Sequence, residues 1–448
     1  SYSMMMVIGG GPAGRIAAME LAQGCHEGEE VILVEKRDAG LGGQCLHAGC
    51  MVVCALNDVA RHLAQARMFY EDGVVTNPIS ISYPHVLDGL YAVQKKLASI
   101  MHTETTSTGV KLLFGEATVS GRTVTVNGEV YTPDALLIAT GSSPFVPAIP
   151  GNELHGIYTA HTLLSKRELP INLVIIGGGV VAVEFAYIFA QFGVNVSIIA
   201  RSTLLREYPS YVVAGVRADL DGILILEETT VLACVETEPG SGMVGSVTIK
   251  SDGEEQSIPA DMVLFATGTR PNADMIEGIS KNSSGEIVVN EHMETSVQGV
   301  YAAGDVCGPP HLTPYARYEG RAAASAMLGK PIPKPQKIVP QAIKLHYEHG
   351  WCQSYDADAR YAAMPSLVGS GSFWKIGHTS TGKSILSSKE DGAIVSMYES
   401  SPVGSLTAAY MGYLIENGIT TQELASMLEV HPSPDGMHWL AKYFVSQR

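Results

Sequence analysis

Short apolar runs that end at glycine-rich turns recur along the first two thirds of the chain. Residues 5–8 form the first run, a glycine turn over 9–14 follows, and a stretch with helical spacing of apolar positions continues to residue 22. The next apolar run covers 31–34. Runs of four apolar residues without polar alternation are typical of strands buried on both faces of a parallel sheet. The pattern therefore predicts a strand, a helix and a second, parallel strand.

The same pattern occurs again later in the chain. The run at 173–176 leads into a glycine turn, a predicted helix over 183–192 and another strand over 194–199. Two further apolar runs, at 135–139 and 261–266, are followed by glycine, which lets the backbone pass close to a ligand. Two α/β units with parallel sheets are therefore expected.

The last quarter of the chain has a different pattern. A segment rich in proline and lysine, 331–340, indicates a linker. Strands are predicted within 384–398, and helices over 405–417 and 421–428. The predicted fold class is α/β, with two Rossmann-like dinucleotide-binding domains followed by a C-terminal α+β domain.

Composition narrows the class of protein. The chain has 448 residues and a formal net charge of −16, which argues against nucleic acid or an anionic membrane as the main partner. No run of about 18 apolar residues predicts a membrane span, and the first strand begins too early to leave room for a signal peptide. The seven cysteines are scattered, unlike a secreted disulfide framework. We expect a cytoplasmic protein without a metal centre, in which a persistent disulfide would be catalytic.

The two glycine turns have the chemistry of dinucleotide sites. Glycines permit a tight turn against a pyrophosphate at a helix N-terminus, and Glu35 after the second strand can accept hydrogen bonds from a ribose. The second turn is followed by Arg201 and Arg206, which suit a ribose 2′-phosphate and predict NADPH, unless they are ordinary exposed arginines. The predicted residues are Gly9, Gly11, Pro12, Ala13, Gly14, Glu35 and Lys36 at the first site, and Gly177, Gly179, Ala182, Arg201, Arg206 and Gly268 at the second.

Two cysteines lie five positions apart in a glycine-rich segment before a helix predicted over 51–66. On an ideal helix, Cα atoms five positions apart are roughly 8 to 9 Å from each other, whereas a disulfide needs about 4.4–6.8 Å. Cys45 and Cys50 can therefore pair only if the first turn is distorted, and Gly49 supplies the backbone freedom for this. We interpret the two cysteines as a redox-active disulfide; two buried free thiols are the alternative.

A nicotinamide site and a dithiol in one chain imply a third group. Hydride chemistry needs the nicotinamide, and a flavin is the usual cofactor that exchanges electrons with both the nicotinamide and thiols. Thr140 and Gly141 follow one strand, and Gly304 and Asp305 follow another, at the ends where α/β sheets bind ligands. We therefore expect a flavin, with Asp305 as a ligand, a helix N-cap or both.

These motifs, above all Gly-Gly-Gln-Cys-Leu-His-Ala-Gly-Cys and Tyr-Ala-Ala-Gly-Asp, resemble those of the FAD-dependent pyridine nucleotide-disulfide oxidoreductases. This family includes dihydrolipoamide dehydrogenase, glutathione reductase and mercuric reductase. The resemblance implies a homodimer. In each chain it implies an FAD-binding domain over 1–150 and 275–330, an NAD(P)-binding domain over 151–274, and an interface domain over 331–448.

The resemblance also implies roles for single residues. Cys50 would face the flavin and Cys45 would exchange with the substrate, while Asp305 would bind the flavin ribitol and Glu184 would lie near the flavin. His431, near the C-terminus, would act as acid and base across the dimer interface, because histidine titrates near neutral pH. The implied FAD contacts also include Gly43 and Gln44.

The chain departs from the family pattern in three places. Cys54 stands where relatives carry a lysine that pairs with Glu184. Gly436 stands in place of the glutamate that orients the histidine, and Asp435, one position earlier, is the candidate substitute. No cysteine pair follows Cys352, so mercury reduction is disfavoured.

We expect a disulfide reductase or dithiol dehydrogenase that uses FAD with NADP(H), or NAD(H), on a small or protein-bound disulfide. Two alternatives stay open on the sequence. One is a metal-ion reductase similar to mercuric reductase, and the other is a flavin-binding redox sensor without catalysis. The altered lysine and glutamate positions favour the sensor, whereas the presence of both cysteines favours the enzyme.

Overall fold

The computed structural model describes residues 3–353, 356, 358–365, 374, 383–431 and 436–447. Its helices are α1 Pro12–Gly24, α2 Gly43–His47, α3 Cys50–Glu71, α4 Tyr83–Ser107, α5 Val180–Gln191, α6 Ser210–Asp219, α7 Thr313–Met327, α8 Gly404–Glu416, α9 Thr421–Ser426 and α10 Met437–Ser446. Its strands are β1 Ser3–Ile8, β2 Glu29–Glu35, β3 Lys111–Phe114, β4 Ala117–Ser120, β5 Thr123–Val126, β6 Glu129–Tyr131, β7 Ala135–Ile138, β8 Ser142–Pro144, β9 Ile157–Tyr158, β10 Asn172–Ile176, β11 Asn195–Ile199, β12 Leu224–Leu226, β13 Thr230–Glu236, β14 Val244–Ser251, β15 Glu254–Pro259, β16 Met262–Phe265, β17 Thr269–Pro271, β18 Ile276–Glu277, β19 Val300–Ala302, β20 Gln341–Lys344, β21 Glu348–Gln353, β22 Arg360–Pro365, β23 Lys383–Ser388 and β24 Ile394–Ser401.

The first α/β unit is built on a parallel sheet of order β19-β7-β1-β2-β3. Along β1, Met5 and Val7 pack into one apolar cluster with α1 and α7, while Met6 and Ile8 pack on the other side with β4 and β5. Both faces of the sheet are therefore covered, which explains why its strands are uninterrupted apolar runs.

The second α/β unit repeats this arrangement with a parallel sheet of order β12-β11-β10-β16-β9. Strands β13, β14 and β15 pair antiparallel and pack on one face of this sheet. On the other face, α5 is buried almost all round, with Phe185 and Phe189 each 1% exposed, because α3 and α4 of the first unit cover it. The predicted α/β class with two Rossmann-like units is confirmed.

The C-terminal unit is an antiparallel sheet of order β20-β21-β24-β23-β22, with α8 and α10 packed on it. A buried hydrogen-bonded group attaches this sheet to the second unit. His349 of β21 has Nε2 2.8 Å from Asp219 Oδ2 at the end of α6, and Nδ1 2.8 Å from the Tyr398 hydroxyl of β24. The attachment fixes β20 and β21 relative to α5 and α6.

Most strands of the first sheet precede the second unit in the sequence, but β19 follows that unit. It nevertheless belongs to the first sheet, because it pairs with β7. Domain limits at residues 150, 274 and 330 stay our proposal.

In the part of the chain that the structure describes, none of the helices combines the length and the apolarity that crossing a membrane requires.

Gly215 of α6 tests how the C-terminal sheet packs on the second unit. A Cβ at this position would collide with the Tyr398 hydroxyl and would lie 3.1 Å from His349 Nδ1. We expect Gly215→Ala to lower the free energy of unfolding by about 1–3 kcal/mol, as overpacking does. The control is Gly89→Ala in α4, where a Cβ would meet no atom within 4 Å. This substitution should stabilise the protein by roughly 0.5–1 kcal/mol, because alanine is favoured over glycine within a helix. Urea unfolding measures both; equal stability of the two variants would contradict the assigned packing.

Candidate redox site

Cys45 and Cys50 lie on two different helices. Cys45 is in α2 and Cys50 is the first residue of α3, so the chain leaves the helical path at Ala48 and Gly49. A Cβ at Gly49 would lie 3.0 Å from the Gln44 carbonyl oxygen and 3.3 Å from the Cys45 Cα, so any larger residue would be crowded at this return of the chain. The expected distortion is therefore a break between two helices, not an irregular first turn of one helix. Both cysteines are free thiols, and a hydrogen bond joins their side chains.

The two thiols differ strongly in acidity. The hydrogen bond from Cys50 lowers the pKa of Cys45 to about 6, helped by the Thr313 hydroxyl and the charge of Arg317, both of α7. The same hydrogen bond, together with burial, holds the pKa of Cys50 far above its ordinary value, and the charge of Glu184 adds to this. At neutral pH the pair therefore carries one thiolate, on Cys45, and one thiol, on Cys50.

Glu184 lies on α5, beside the start of α3. Its Oε2 accepts a hydrogen bond from the backbone N–H of Lys344 at 3.1 Å. Burial raises the pKa of Glu184 to about 7, while this hydrogen bond and the Lys344 charge act in the opposite direction. The structure thus brings Glu184 close enough to Cys50 for its charge to act on that thiol, while its position near a flavin stays a prediction.

A cavity extends from the first glycine turn to the cysteine pair, along the ends of β1, β2, β7 and β19. Ser142 borders the cavity and donates a hydrogen bond to Asp305 at 3.0 Å. The predicted residues that line the cavity are Gly9, Gly11, Pro12, Ala13, Glu35, Lys36, Gly43, Gln44, Cys45, Cys50, Thr140, Gly141, Gly304 and Asp305. Gly14 lies just beneath, where a Cβ would collide with the Gly9 carbonyl oxygen.

The residues of this cavity fit FAD. Gly11 caps α1 without a side-chain hydrogen bond, so the helix N-terminus is left to a pyrophosphate. Glu35 is 5% exposed, and burial raises its pKa, although the backbone N–H groups of Arg37 and Lys36 act against this. The Gln44 Oε1 is buried and, among the described residues, has no hydrogen-bond donor. A flavin ring carries an N–H group that can satisfy such an acceptor.

The second glycine turn leads into α5 in the same way. Gly177 has a φ of +135° and lies against the Ala266 carbonyl, Gly179 caps α5, and Ala182 is fully buried. The loop after β11 lies on this turn, since the Leu205 N–H donates to the Gly178 carbonyl at 2.8 Å. The loop carries Arg201 and Arg206, both exposed, and Gly268 forms the turn after β16.

His431 lies beyond α9 and is exposed, while Asp435 and the proline after His431 fall outside the described residues. The neighbouring Leu428 and Val430 are 96% and 78% exposed, although both are apolar.

The sequence analysis did not predict several residues that lie at the site. Thr313 and Arg317 act on Cys45 from α7, and Arg37 and His161 line the cavity near Glu35. Pro314 marks the first turn of α7, so the sequence carried a signal for a helix N-terminus at Thr313. Lys344 had no local signal, because only the packing of the C-terminal sheet brings it to Glu184.

The fold and this site define a flavin-dependent disulfide oxidoreductase. Residues 3–320 match the family model described as pyridine nucleotide-disulphide oxidoreductase, and the chain belongs to this family. It is 30% identical over 448 residues to the dihydrolipoyl dehydrogenase of Geobacillus stearothermophilus. The aligned region covers 96% of this chain and 93% of the relative. It is 31% identical over 338 residues to the mercuric reductase of Staphylococcus aureus. Here the aligned region covers 72% of this chain and 59% of the relative.

Solved structures share the fold. The HOCl-induced flavoprotein disulfide reductase RclA from Escherichia coli has a TM-score of 0.85 at 21% sequence identity, covering 98% of this chain and 99% of that chain. The family inferred from the motifs is confirmed, and with it the class of enzyme and the use of FAD and a nicotinamide cofactor.

The Thr313 hydroxyl provides a test of the thiolate. In the reduced protein, the rate of Cys45 alkylation by iodoacetamide should rise with pH around a midpoint of about 6 and then level off. Thr313→Val removes a hydrogen bond to the thiolate, so the midpoint should rise and the rate at about pH 6.5 should fall by about two- to tenfold. Thr118→Val on β4, an exposed position, is the matched control. Peptide mass spectrometry gives the rate at each cysteine, and an unchanged midpoint in Thr313→Val would contradict the assignment.

Proposed function

We propose that the protein is an NADPH-dependent, FAD-containing disulfide reductase whose Cys45 attacks a small or protein-bound disulfide. The observation that carries the proposal is the position of the cysteine pair at the end of the cavity whose residues fit FAD, and the lowered pKa of Cys45 supports it. A thiolate is the nucleophile in thiol–disulfide exchange, so the pair is already divided into an attacking group and a resolving group.

The exchange has two steps. The Cys45 thiolate attacks one substrate sulfur, the substrate S–S bond breaks, and a mixed disulfide forms with Cys45 while one substrate thiolate leaves. Cys50 then loses its proton and attacks the Cys45 sulfur, which releases the second substrate thiol and leaves a Cys45–Cys50 disulfide. The substrate has gained two electrons from the cysteine pair and one proton from Cys50, and a second proton must come from an acid that protonates the first leaving thiolate.

The cysteine pair is returned to the dithiol by electrons from the nicotinamide. FAD, when bound, supplies the two-electron exchange between the nicotinamide and the disulfide. We propose that the α1 N-terminus, Glu35 and Asp305 hold FAD, and that Gln44 contacts its ring. The α5 N-terminus and the arginines after β11 would hold the nicotinamide nucleotide.

We further propose that the protein acts as a homodimer in which His431 of the partner subunit protonates the leaving thiolate. The C-terminal unit exposes large apolar side chains that a second copy would cover. They are Leu406, Tyr413, Leu428, Val430, Trp439 and Tyr443. His431 lies among them in the sequence, next to Val430, so the same contact would take it out of solvent.

Anaerobic reduction of the purified yellow protein tests the function. NADPH should bleach the flavin, and addition of a disulfide should restore the oxidised spectrum. Lipoamide, glutathione disulfide and a disulfide-bonded protein cover the substrate classes. A bound flavin that neither nicotinamide reduces would instead support a redox sensor.

NADPH should be preferred to NADH. Glu227, whose carboxylate contacts the loop after β11, is already engaged by the Leu204 N–H at 2.9 Å and by Arg217 at 2.6 Å. Hydrogen bonds between a charged group and its partner are worth about 1.5–3 kcal/mol each, enough for a tenfold or greater preference in kcat/KM.

Variants of the two arginines check this preference. Arg201→Ala and Arg206→Ala should each reduce kcat/KM for NADPH while leaving that for NADH nearly unchanged. Arg360→Ala, at an exposed arginine of β22, is the control. Equal kcat/KM values for the two nucleotides in the unaltered protein would refute the assignment.

His431→Gln should leave reduction of the flavin by NADPH intact and reduce disulfide turnover by about 10²–10⁴, because it removes the acid that protonates the leaving thiolate. Stopped-flow absorbance separates the two half-reactions. His292→Gln, at an exposed histidine outside the site, is the control. Unchanged turnover in His431→Gln would remove this histidine from the mechanism, and Asp435→Asn should have a smaller effect.

A further inference from the structure

Helix α7 lies against the start of α1 and against the turn that follows β19. A Cβ at Gly320 of α7 would lie 2.3 Å from the Ala13 carbonyl oxygen. A Cβ at Gly304, in the turn, would lie 3.2 Å from the Ala13 Cβ and 3.9 Å from the Ala316 Cβ. The three segments therefore meet at close range, at the wall of the cavity whose residues fit FAD.

A carboxyl group from α7 reaches this turn. Glu319 Oε1 accepts a hydrogen bond from the buried Gly304 N–H at 3.0 Å. Gly304 has a φ of +84°, which glycine adopts readily. The next residue, Asp305, accepts a hydrogen bond from the Ser142 hydroxyl at 3.0 Å. The turn is therefore held from two sides, by α7 through its backbone and by β8 through the Asp305 side chain.

We propose that Glu319 is a positioning residue for FAD, which fixes the Gly304–Asp305 turn relative to the N-terminus of α1. The inference rests on the proposed placement of FAD, in which α1 receives the pyrophosphate and Asp305 binds another part of the same molecule. Within the described part of the chain, Glu319 is not among the residues that line the cavity, so it acts through the turn. A turn that is fixed in advance lowers the cost of ordering on binding.

The hydrogen bond to Gly304 needs an acceptor at Glu319 and does not need a charge. Burial raises the pKa of Glu319 to about 7; the hydrogen bond from Gly304 acts against this, and the Asp305 charge adds to it. The carbonyl oxygen of a neutral carboxyl also accepts a hydrogen bond, so both protonation states can hold the turn. A glutamine amide oxygen should therefore replace the carboxyl.

Two substitutions separate the acceptor from the charge. Glu319→Gln keeps the length of the side chain and an acceptor but removes the charge. Glu319→Asp keeps the charge but is one methylene shorter, which withdraws the acceptor from the Gly304 N–H. Arg321→Gln is the control, because Arg321 Nε of α7 lies 2.8 Å from Glu20 Oε1 of α1. It removes a contact between the same two helices at an exposed place.

The first measurement is the dissociation constant of FAD. A dilution series of the FAD-loaded protein gives this constant from the fluorescence of the released flavin. Glu319→Asp should raise the constant about tenfold or more, because the buried N–H of Gly304 loses its acceptor. Glu319→Gln and Arg321→Gln should resemble the unaltered protein.

Two further measurements show where the substitution acts. Ser142→Ala should also weaken FAD binding, and its effect should not add fully to that of Glu319→Asp, because both residues hold one turn. The midpoint of Cys45 alkylation, measured at saturating FAD, should be unchanged in Glu319→Asp. Thr313 and Arg317 would then still act on Cys45, which shows that α7 keeps its place.

Equal affinities of Glu319→Asp and Glu319→Gln for FAD, or a loss confined to Glu319→Gln, would overturn the proposal. Fully additive effects with Ser142→Ala would overturn it too, and so would a shifted Cys45 midpoint, because α7 as a whole would have moved.

Asp305→Ala tests the proposed placement of FAD separately. If this variant binds FAD as tightly as the unaltered protein, the placement is wrong and the role of Glu319 fails with it. If Asp305→Ala weakens FAD binding and Glu319→Asp does not, the placement holds and only the role of Glu319 fails.

Discussion

The contact between α3 and α5 determines where the reactive groups of this protein lie. Val52 and Leu56 of α3 pack with Phe185 and Phe189 of α5 in one buried cluster, at the boundary of the first two units. Cys50 shares α3 with the packed residues, so the contact fixes the thiol relative to Glu184. Because α5 is apolar on nearly every side, it can pack on its own sheet and on α3 at once.

The acidity of the cysteine pair follows from this framework. The break at Gly49 lets the two thiols form a hydrogen bond, and α7 adds the Thr313 hydroxyl and the Arg317 charge on the side of Cys45. Glu184 adds a negative charge on the side of Cys50. The surroundings therefore favour the thiolate on one sulfur and the thiol on the other, and a pair of equal cysteines becomes chemically unequal.

The C-terminal unit contributes to the redox site through its attachment to the second unit. The buried hydrogen bonds of His349 with Asp219 and Tyr398 hold the sheet against α6. Strand β20, at the edge of this sheet, thereby reaches α5 and places Lys344 at Glu184. The same unit presents an exposed apolar surface, which includes Leu406, Tyr413 and Tyr443.

The sequence by itself determined the two parallel-sheet units, because apolar runs and glycine turns are local signals of buried strands and helix N-termini. It also predicted that Cys45 and Cys50 could pair only if the chain departs from helix geometry between them, because the covalent limits of a disulfide exclude a regular helix at that spacing. The roles of His431 and Asp435 stay predictions.

Only the tertiary structure placed Thr313 and Arg317 at Cys45. It also joined Lys344 to Glu184, which lie 160 positions apart in the sequence. Contacts of this kind arise from the packing of separate units, and no local periodicity of the chain encodes them.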